Sequence, residues 1–235
     1  MADEDGDGAA SRDPLALVED PLAGYSMWAR TTPALRPAFD LVEVGTGPAT
    51  DASAAGAELA ETMRQTDRYP AHLLASSWAA ARTLDLVLRR PDLVRGVLLH
   101  EPYLAEPDPG IDPASGGALG WRDEVVAAAG ADPAGATVAE HLTTLDPARV
   151  HDAWSECRSL DARLRWEEYP GPVAVVTGME SAPSIRRRAA AVAARFPNGT
   201  LLEVPAAGSF LPLAEPDRFV GIVMAYFLER NVPTT

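Results

Sequence analysis

Short apolar runs alternate with amphipathic segments along most of the chain. The apolar runs predict six strands, at 14–20, 39–45, 71–76, 94–102, 172–178 and 199–205. Helical periodicity predicts helices at 27–35, 50–66, 77–90, 184–196 and 216–230. Continuous apolar strands that alternate with helices are typical of a mostly parallel sheet with helices on both faces. The pattern therefore predicts the α/β fold class.

The alternation stops between residues 104 and 170. This segment begins rich in Pro and Gly and then becomes helical without a strand signal. We therefore expect a helical cap at 104–170, inserted between the two parts of one α/β core, 14–103 and 171–235. Residues 1–13 have no apolar periodicity and many acidic side chains, so they predict a disordered acidic tail.

The net charge of -14 restricts the expected partners and location. Nucleic acids and anionic membranes need a basic face, so we expect neither as a partner. No apolar run reaches the roughly 18 residues of a membrane span. The acidic N-terminus is unlike a secretory signal, which predicts a cytoplasmic protein. The single cysteine, Cys157, excludes an internal disulfide and the usual zinc motifs.

Several stretches, taken in order, resemble the α/β-hydrolase superfamily, and its thioesterase-like and esterase-like members most. The stretch "AHLLASSWAAARTLDLVLRRPDLVRGVLLHEPYL" is similar to that family's central strand, nucleophile elbow, following helix and next strand. "PVAVVTG" and "GTLLEVPAAGSFLPLAEPDRFVGIVMAYFLE" are similar to its closing strands and last helix. The rival fold, a dinucleotide-binding domain, is disfavoured because no G-x-G-x-x-G follows the first strand. The resemblance implies an α/β-hydrolase fold without its first two antiparallel strands.

The resemblance also assigns Ser77 to the position of the nucleophile. The family motif G-x-S-x-G forms a strained turn between a strand and a helix. Here the matching residues are Ala75 to Ala79, with alanine in place of both glycines. The backbone N–H of Trp78 would then be one oxyanion donor. The alternative is that Ser77 only caps the following helix.

The remaining members of the triad depart from the family pattern. Glu101 follows the next strand and matches one acid position, while Glu180 and Ser181 lie at the other. Ser209 stands where the family has its histidine. A serine hydroxyl is too weakly basic near neutral pH to deprotonate Ser77.

Four histidines could in principle replace the missing base. His72 begins the elbow strand and is expected at the end away from the site. His100 precedes Glu101, and adjacent strand residues point to opposite faces unless the strand has ended. His141 and His151 lie in the helical insertion, where one of them could reach the cavity.

The oxyanion loop departs as well, because Glu19 and Asp20 align with the H-G pair of the family. A carboxylate beside an oxyanion hole would repel the charge that the hole must hold. Carboxylates crowded in a cleft raise one another's pKa, so one could act as a general acid or base near neutral pH. The residues expected to line the substrate cavity are Tyr25, Trp28, Trp78, Tyr103, Trp121 and His151.

Three functions follow from this pattern. The favoured one is an enzyme without an intact triad that uses Ser77, Glu101, Ser209, Glu19 and Asp20 on a small hydrophobic or acyl substrate. Cyclisation, isomerisation, elimination or epoxide opening would fit, because none of them needs an acyl-enzyme. The alternatives are a weak esterase or thioesterase with a rewired base, and a non-catalytic protein that binds a ligand or partner. No cofactor or metal is implied, and a homodimer is possible.

Overall fold

Six parallel strands form the central sheet of the protein in a computed structural model, which describes residues 12–20, 22, 27–45, 52–104, 120, 122–123, 126–127, 135–159 and 165–229. The strands are β1 Asp13–Val18, β2 Phe39–Val44, β3 Ala71–Ser76, β4 Val94–His100, β5 Val173–Gly178 and β6 Gly199–Val204. Their order in the sheet is β2-β1-β3-β4-β5-β6, and every neighbouring pair is parallel. The predicted parallel sheet is therefore confirmed, and the described strands include no antiparallel pair.

Helices follow most of the strands. They are α1 Thr32–Leu35, α2 Ala52–Gln65, α3 Ala79–Arg89, α4 Ala136–Thr144, α5 Pro147–Ser159, α6 Pro183–Ala193, α7 Leu211–Ala214 and α8 Pro216–Leu228. Helices α4 and α5 lie between β4 and β5 in the chain, inside the segment expected to form a cap, and their action as a cap stays a prediction. None of the helices in the described ranges is long and apolar enough to cross a membrane.

The central strands are mostly apolar and buried because both faces of the sheet are covered. All residues of β3 and β5 are buried, whereas most of the edge strand β6 is half-buried. Next to the sheet, the rings of Trp28 and Phe219 stack with 6.0 Å between their centroids. Each fully buried leucine contributes about 2 kcal/mol to the free energy of unfolding. The burial at the centre of the sheet therefore stabilises the strands that carry the site residues at their ends.

Several predicted bounds differ from the structure by a few residues, and local contacts explain two of the differences. The helix expected at 27–35 begins only at Thr32, because Thr31 and Thr32 both donate their N–H to the Trp28 carbonyl in a preceding turn. Pro33 then suits only the first turn of a helix. Asp13, counted in the tail expected at 1–13, instead opens β1 and pairs with Phe39. Residues 1–11 lie outside the described residues.

Parallel strands end at the same edge of a sheet, and ligands bind there in open α/β folds. Asp20 follows β1, Ser77 follows β3, Glu101 follows β4, and Ser209 follows β6. The topology therefore brings residues from distant parts of the sequence to one edge.

Candidate functional site

The turn between β3 and α3 has the strained geometry expected of a nucleophile elbow. Ser77 has a φ of 49°, in the left-handed region that costs a non-glycine residue about 1–3 kcal/mol. Its N–H donates to the His100 carbonyl at 3.0 Å, and its carbonyl accepts from the Tyr103 N–H at 2.9 Å. The N-cap position of α3 is Trp78, with no side-chain capping bond. Ser77 is thus held by the backbone of the next strand and is not a helix cap.

The carboxylate of Asp20 lies directly on this elbow. Its Oδ2 accepts the backbone N–H of Trp78 at 3.2 Å, and its Oδ1 accepts the N–H of Leu22 at 2.8 Å. The Ser77 side chain also forms a hydrogen bond with this carboxylate. The N–H expected to serve as an oxyanion donor is therefore occupied by a carboxylate of the protein itself.

Burial raises the pKa of Asp20 to about 6. The hydrogen bonds from Leu22, Trp78 and Ser77 and the charge of Arg82 all lower the pKa, but burial outweighs them. The group is mostly ionised at neutral pH, and its basicity is close to the pH of the solution. A general base works best in that range.

Glu101 is the second carboxylate at this edge, and it too lies on strained backbone, with a φ of 44°. Its Oε1 accepts hydrogen bonds from the Thr177 hydroxyl at 3.1 Å, the Gly178 N–H at 3.3 Å, and the Ser181 hydroxyl. The two acid positions considered in the sequence are therefore in direct contact. Ser181 donates to the acid of the neighbouring strand and so helps to hold it in place.

His100 ends β4 and is 1% exposed. Its Nδ1 lies 3.1 Å from the Ser76 Oγ, and its Nε2 has no hydrogen-bond partner among the described residues. Burial lowers the pKa of His100, so the ring is neutral at neutral pH. His100 and Glu101 both reach the same cavity, because the strand ends between them and Glu101 turns away on its positive φ.

These groups surround a cavity of about 70 Å³. One water needs about 10–15 Å³ by the same measure, so the space suits a small molecule or part of a larger one. Six of the residues expected at the site line it, namely Asp20, Ser77, Trp78, Glu101, Tyr103 and Ser209. The apolar lining consists of Leu22, Met27, Val138, Leu142, Ile185 and Phe210. Polar and apolar side chains thus share the lining, and such convergence of polar groups on an apolar wall is usual for a ligand pocket.

Three expected residues do not line the cavity. Glu19 precedes Asp20 and points elsewhere, as adjacent residues of an extended segment do. Trp28 is fully buried, because it stacks on Phe219 and donates its Nε1–H to the Val18 carbonyl at 3.2 Å. His151 is exposed on α5. Tyr25 and Trp121 lie outside the described residues.

Sequence reasoning missed the cation of the lining. Arg188 is the third of three consecutive arginines on α6, and it lines the cavity together with Ile185, one helical turn earlier. Its guanidinium lies 4.8 Å from the centroid of the Tyr103 ring. The neighbouring Arg186 instead pairs with Glu203 at 2.9 Å. Helical spacing from an apolar residue was the signal that could have singled out Arg188.

A buried ion pair joins α5 to the helix of the elbow. Arg82 of α3 contacts Glu156 of α5 through two hydrogen bonds, of 2.5 and 2.6 Å, and both side chains are 4% exposed. Next to Glu156, the thiol of Cys157 is buried, and burial raises its pKa well above the usual value. That thiol is therefore not a nucleophile near neutral pH. In the described part of the chain no cluster of His, Cys, Asp and Glu could hold a metal ion.

No protein-family model matches the chain, and no curated protein matches it in sequence. Among solved structures, Est816, described as an N-acyl homoserine lactone degrading enzyme, has a TM-score of 0.74 at 14% identity over 91% of this chain and 93% of that one. The bromoperoxidase from Bacillus anthracis has a TM-score of 0.72 at 16% identity over 92% of each chain. The enol-lactonase from Burkholderia xenovorans LB400 has a TM-score of 0.68 at 18% identity over 94% of each chain.

These likenesses confirm the α/β-hydrolase fold. A fold shared with enzymes of several different activities does not identify a reaction. The function therefore has to be argued from the residues of the cavity.

Proposed function

We propose that this protein of α/β-hydrolase fold is an enzyme that moves a proton on a small, largely apolar molecule, with Asp20 as the base. The observation that carries the proposal is the position of the Asp20 carboxylate on Ser77 and the Trp78 N–H. Its pKa of about 6 suits a group that takes and returns a proton near neutral pH.

The same position disfavours an acyl-enzyme. A tetrahedral intermediate would place its negative oxygen at the Trp78 N–H, where the Asp20 carboxylate already lies. Ser209 lines the cavity from the position where the family has its histidine, and its hydroxyl cannot replace that base. Isomerisation, cyclisation or elimination requires only that a proton leaves one atom and that the electron pair moves within the substrate.

The other polar residues have supporting functions in this proposal. The Ser77 hydroxyl orients the Asp20 carboxylate through their hydrogen bond. Glu101, held by three hydrogen bonds to its Oε1, is a fixed side chain on the other side of the elbow. The apolar side chains of α4 and Phe210 line one wall, and an apolar wall strengthens electrostatic interactions beside it.

A chromogenic probe of proton abstraction tests the proposal without knowledge of the natural substrate. In 5-nitro-1,2-benzisoxazole, removal of the ring C–H proton leads to cleavage of the N–O bond and yields a coloured cyanophenolate. We expect saturable turnover by the wild type, rising with pH through about 6 as Asp20 ionises. The isosteric Asp20→Asn variant should lose about 100-fold or more in kcat/KM.

The matched control is Glu19→Gln, which removes a carboxylate next in sequence that does not line the cavity. It should keep the wild-type rate within about twofold. The proposal is overturned if wild type and Asp20→Asn open the probe at the same rate at every pH between 5 and 8.

Ester or thioester cleavage by Ser77 is the second candidate, favoured by the strained φ of Ser77. Intact mass after treatment with a fluorophosphonate tests it in wild type and Ser77→Ala. A single adduct on the wild type that is absent from the variant would establish a reactive serine. We expect no adduct on either, because Asp20, the base that contacts Ser77, also occupies the oxyanion donor, the Trp78 N–H.

A further inference from the structure

Two polar atoms on the β4 and β6 side of the cavity lining have no hydrogen-bond partner among the described residues. They are the Nε2 of His100 and the Oγ of Ser209, and both atoms are buried. More than about nine in ten buried polar groups in proteins are hydrogen-bonded, so two exceptions in one cavity require an explanation. A ligand that accepts hydrogen bonds from both atoms would supply one.

The two atoms and the proposed base approach the cavity from different strands. Asp20 follows β1, on one side of β3, whereas His100 ends β4, on the other side of β3. Ser209 follows β6, beyond β4 on that same side. A molecule above Ser77 would therefore meet the carboxylate from one direction and the two hydrogen-bonding atoms from the other.

Ser76 determines what His100 can do. The Ser76 hydroxyl lies 3.1 Å from Nδ1 of the ring. When that hydroxyl donates to Nδ1, the proton of the neutral imidazole resides on Nε2, which then becomes a donor toward the cavity. A neutral imidazole is an established means of polarising a carbonyl group, because its N–H strengthens a hydrogen bond as negative charge develops on the oxygen.

We propose that His100 Nε2–H and Ser209 Oγ–H together bind the oxygen of a carbonyl group of the substrate. This assignment rests on the proposed function and names the substrate class, a small carbonyl compound with an acidic hydrogen on the adjacent carbon. The Asp20 carboxylate removes that hydrogen as a proton. The electron pair of the C–H bond becomes the carbon–carbon double bond, and the carbonyl π pair moves to the oxygen held by His100 and Ser209. Return of the proton from Asp20 to carbon or oxygen completes an isomerisation.

In this arrangement the oxyanion is bound by His100 and Ser209, on the other side of the elbow from the Trp78 N–H. The Trp78 N–H is occupied by Asp20, so the charge that develops on oxygen needs other donors. It also explains a serine at position 209. A serine hydroxyl is a small neutral donor, and it takes up little of a cavity of about 70 Å³.

Binding of 4-nitrophenol tests the relocated site, because its phenolate resembles an enolate oxygen and its colour reports ionisation. The reference protein is Asp20→Asn. This substitution removes the proposed base and also the repulsion between its carboxylate and the phenolate. We expect saturable binding with an increased phenolate fraction at pH 7. Adding Ser209→Ala should weaken binding about tenfold or more, as expected for loss of a hydrogen bond to a charged atom. Adding Ser155→Ala, at an exposed serine of α5, should change nothing.

Nitrogen NMR of the wild type gives a second, independent measurement that does not depend on a variant folding. The His100 ring should be in the Nε2–H form, and its Nε2–H resonance should shift on saturation with 4-nitrophenol. A ring protonated on Nδ1, or an Nε2 that saturation leaves unchanged, would overturn the assignment.

The two proposals can fail separately. Loss of phenolate binding in Asp20→Asn, with probe turnover by wild type still dependent on Asp20, would reject the carbonyl site alone. Phenolate binding that depends on Ser209, with no dependence of turnover on Asp20, would reject the base alone.

Discussion

The two ends of the sheet bury a histidine in different ways. At the amino end, His72 begins β3 with its ring 4.3 Å from that of Phe227 and edge-on to Phe39. Neither of its nitrogens has a partner among the described residues, and burial lowers its pKa to about 4. At the carboxyl end, His100 is equally buried and its pKa is also lowered, but its ring contacts Ser76 and lines the cavity.

The comparison shows that a buried group with a perturbed pKa does not by itself mark a site. Backbone strain alone does not mark one either, because the exposed Asp67, in the turn before β3, has a φ of 52°. At the carboxyl end, strain at Ser77 and Glu101 coincides with a cavity and with several polar atoms facing it. That coincidence separates the candidate site from the core.

The largest expected effect concerns the buried charges behind the elbow. Glu156→Gln leaves the Arg82 guanidinium buried without its carboxylate, so we expect a loss of about 3–5 kcal/mol in the free energy of unfolding. Urea denaturation at pH 7 measures it. The double variant Arg82→Met with Glu156→Leu should recover most of that loss.

The matched control for the buried pair is a solvent-exposed ion pair. Asp92→Asn breaks the solvent-screened pair between Arg90 and Asp92 and should leave the free energy of unfolding nearly unchanged. If Glu156→Gln cost no more than this control, the buried pair would not hold α5 against α3.

The next effect tests the amino end. In the unfolded chain His72 gains its proton near pH 6.5, whereas in the folded protein it does so only near pH 4. The unfolded state therefore binds more protons between these values, and stability falls as the pH drops from 6.5 to 4, by about 3 kcal/mol. His72→Leu should remove that part of the pH dependence, measured as unfolding free energy at pH 7 and pH 4.5.

A suitable control is Phe227→Leu, which loses the same ring contact but no titratable group. It should lower stability by a similar amount at both pH values. An unchanged pH dependence in His72→Leu would contradict burial of a neutral His72.

The pH dependence of stability that Asp20 causes has the opposite sign to that of His72, so the two ends of the sheet can be told apart by pH. The folded protein holds the Asp20 proton up to about pH 6 and the unfolded chain only to about 3.8. The folded state therefore binds more protons in this window, so stability falls as the pH rises through it and stays lower above it. Asp20→Asn should raise the unfolding free energy at pH 7 by about 3 kcal/mol, with little change at pH 3.5.

Glu19→Gln is again the control and should show no such gain. A variant Asp20→Asn that is less stable than wild type at pH 7 would mean that the ionised carboxylate stabilises the elbow. The ionised carboxylate is thus expected to lower the free energy of unfolding while it serves the proposed function, and such a trade-off is common at active sites.

The smallest effect compares strain inside and outside the site. Ser77→Gly should gain about 1 kcal/mol, because glycine adopts the left-handed region without the steric cost. Asp67→Gly should gain less, since aspartate tolerates that region better than serine. Thermal unfolding measures both, and only Ser77→Gly should also lower turnover of the benzisoxazole. A destabilised Ser77→Gly would show that no strain is stored at the elbow.

Local pattern was enough for most of the fold. The mostly apolar run 71–76 predicted β3 to the residue, because a strand buried on both faces forms a compact stretch of this kind. The prediction of a helix at 27–35 was wrong at its start. The helical periodicity there also fits a turn, in which the N–H groups of Thr31 and Thr32 donate to the Trp28 carbonyl. Trp28 was misassigned for a related reason, because an aromatic residue near the site loop can equally be core.

By itself the sequence determined the alternation of strands and helices, the parallel sheet, and the place of Ser77 on the turn after β3. These depend on periodicity and short-range sterics, which neighbouring residues encode. Only the tertiary structure decided that Asp20 occupies the Trp78 N–H, that Ser181 supports Glu101, and that His100 and Arg188 face the cavity. Such contacts join residues far apart in the chain, and their energies depend on burial and direction, which appear only when the strands are side by side.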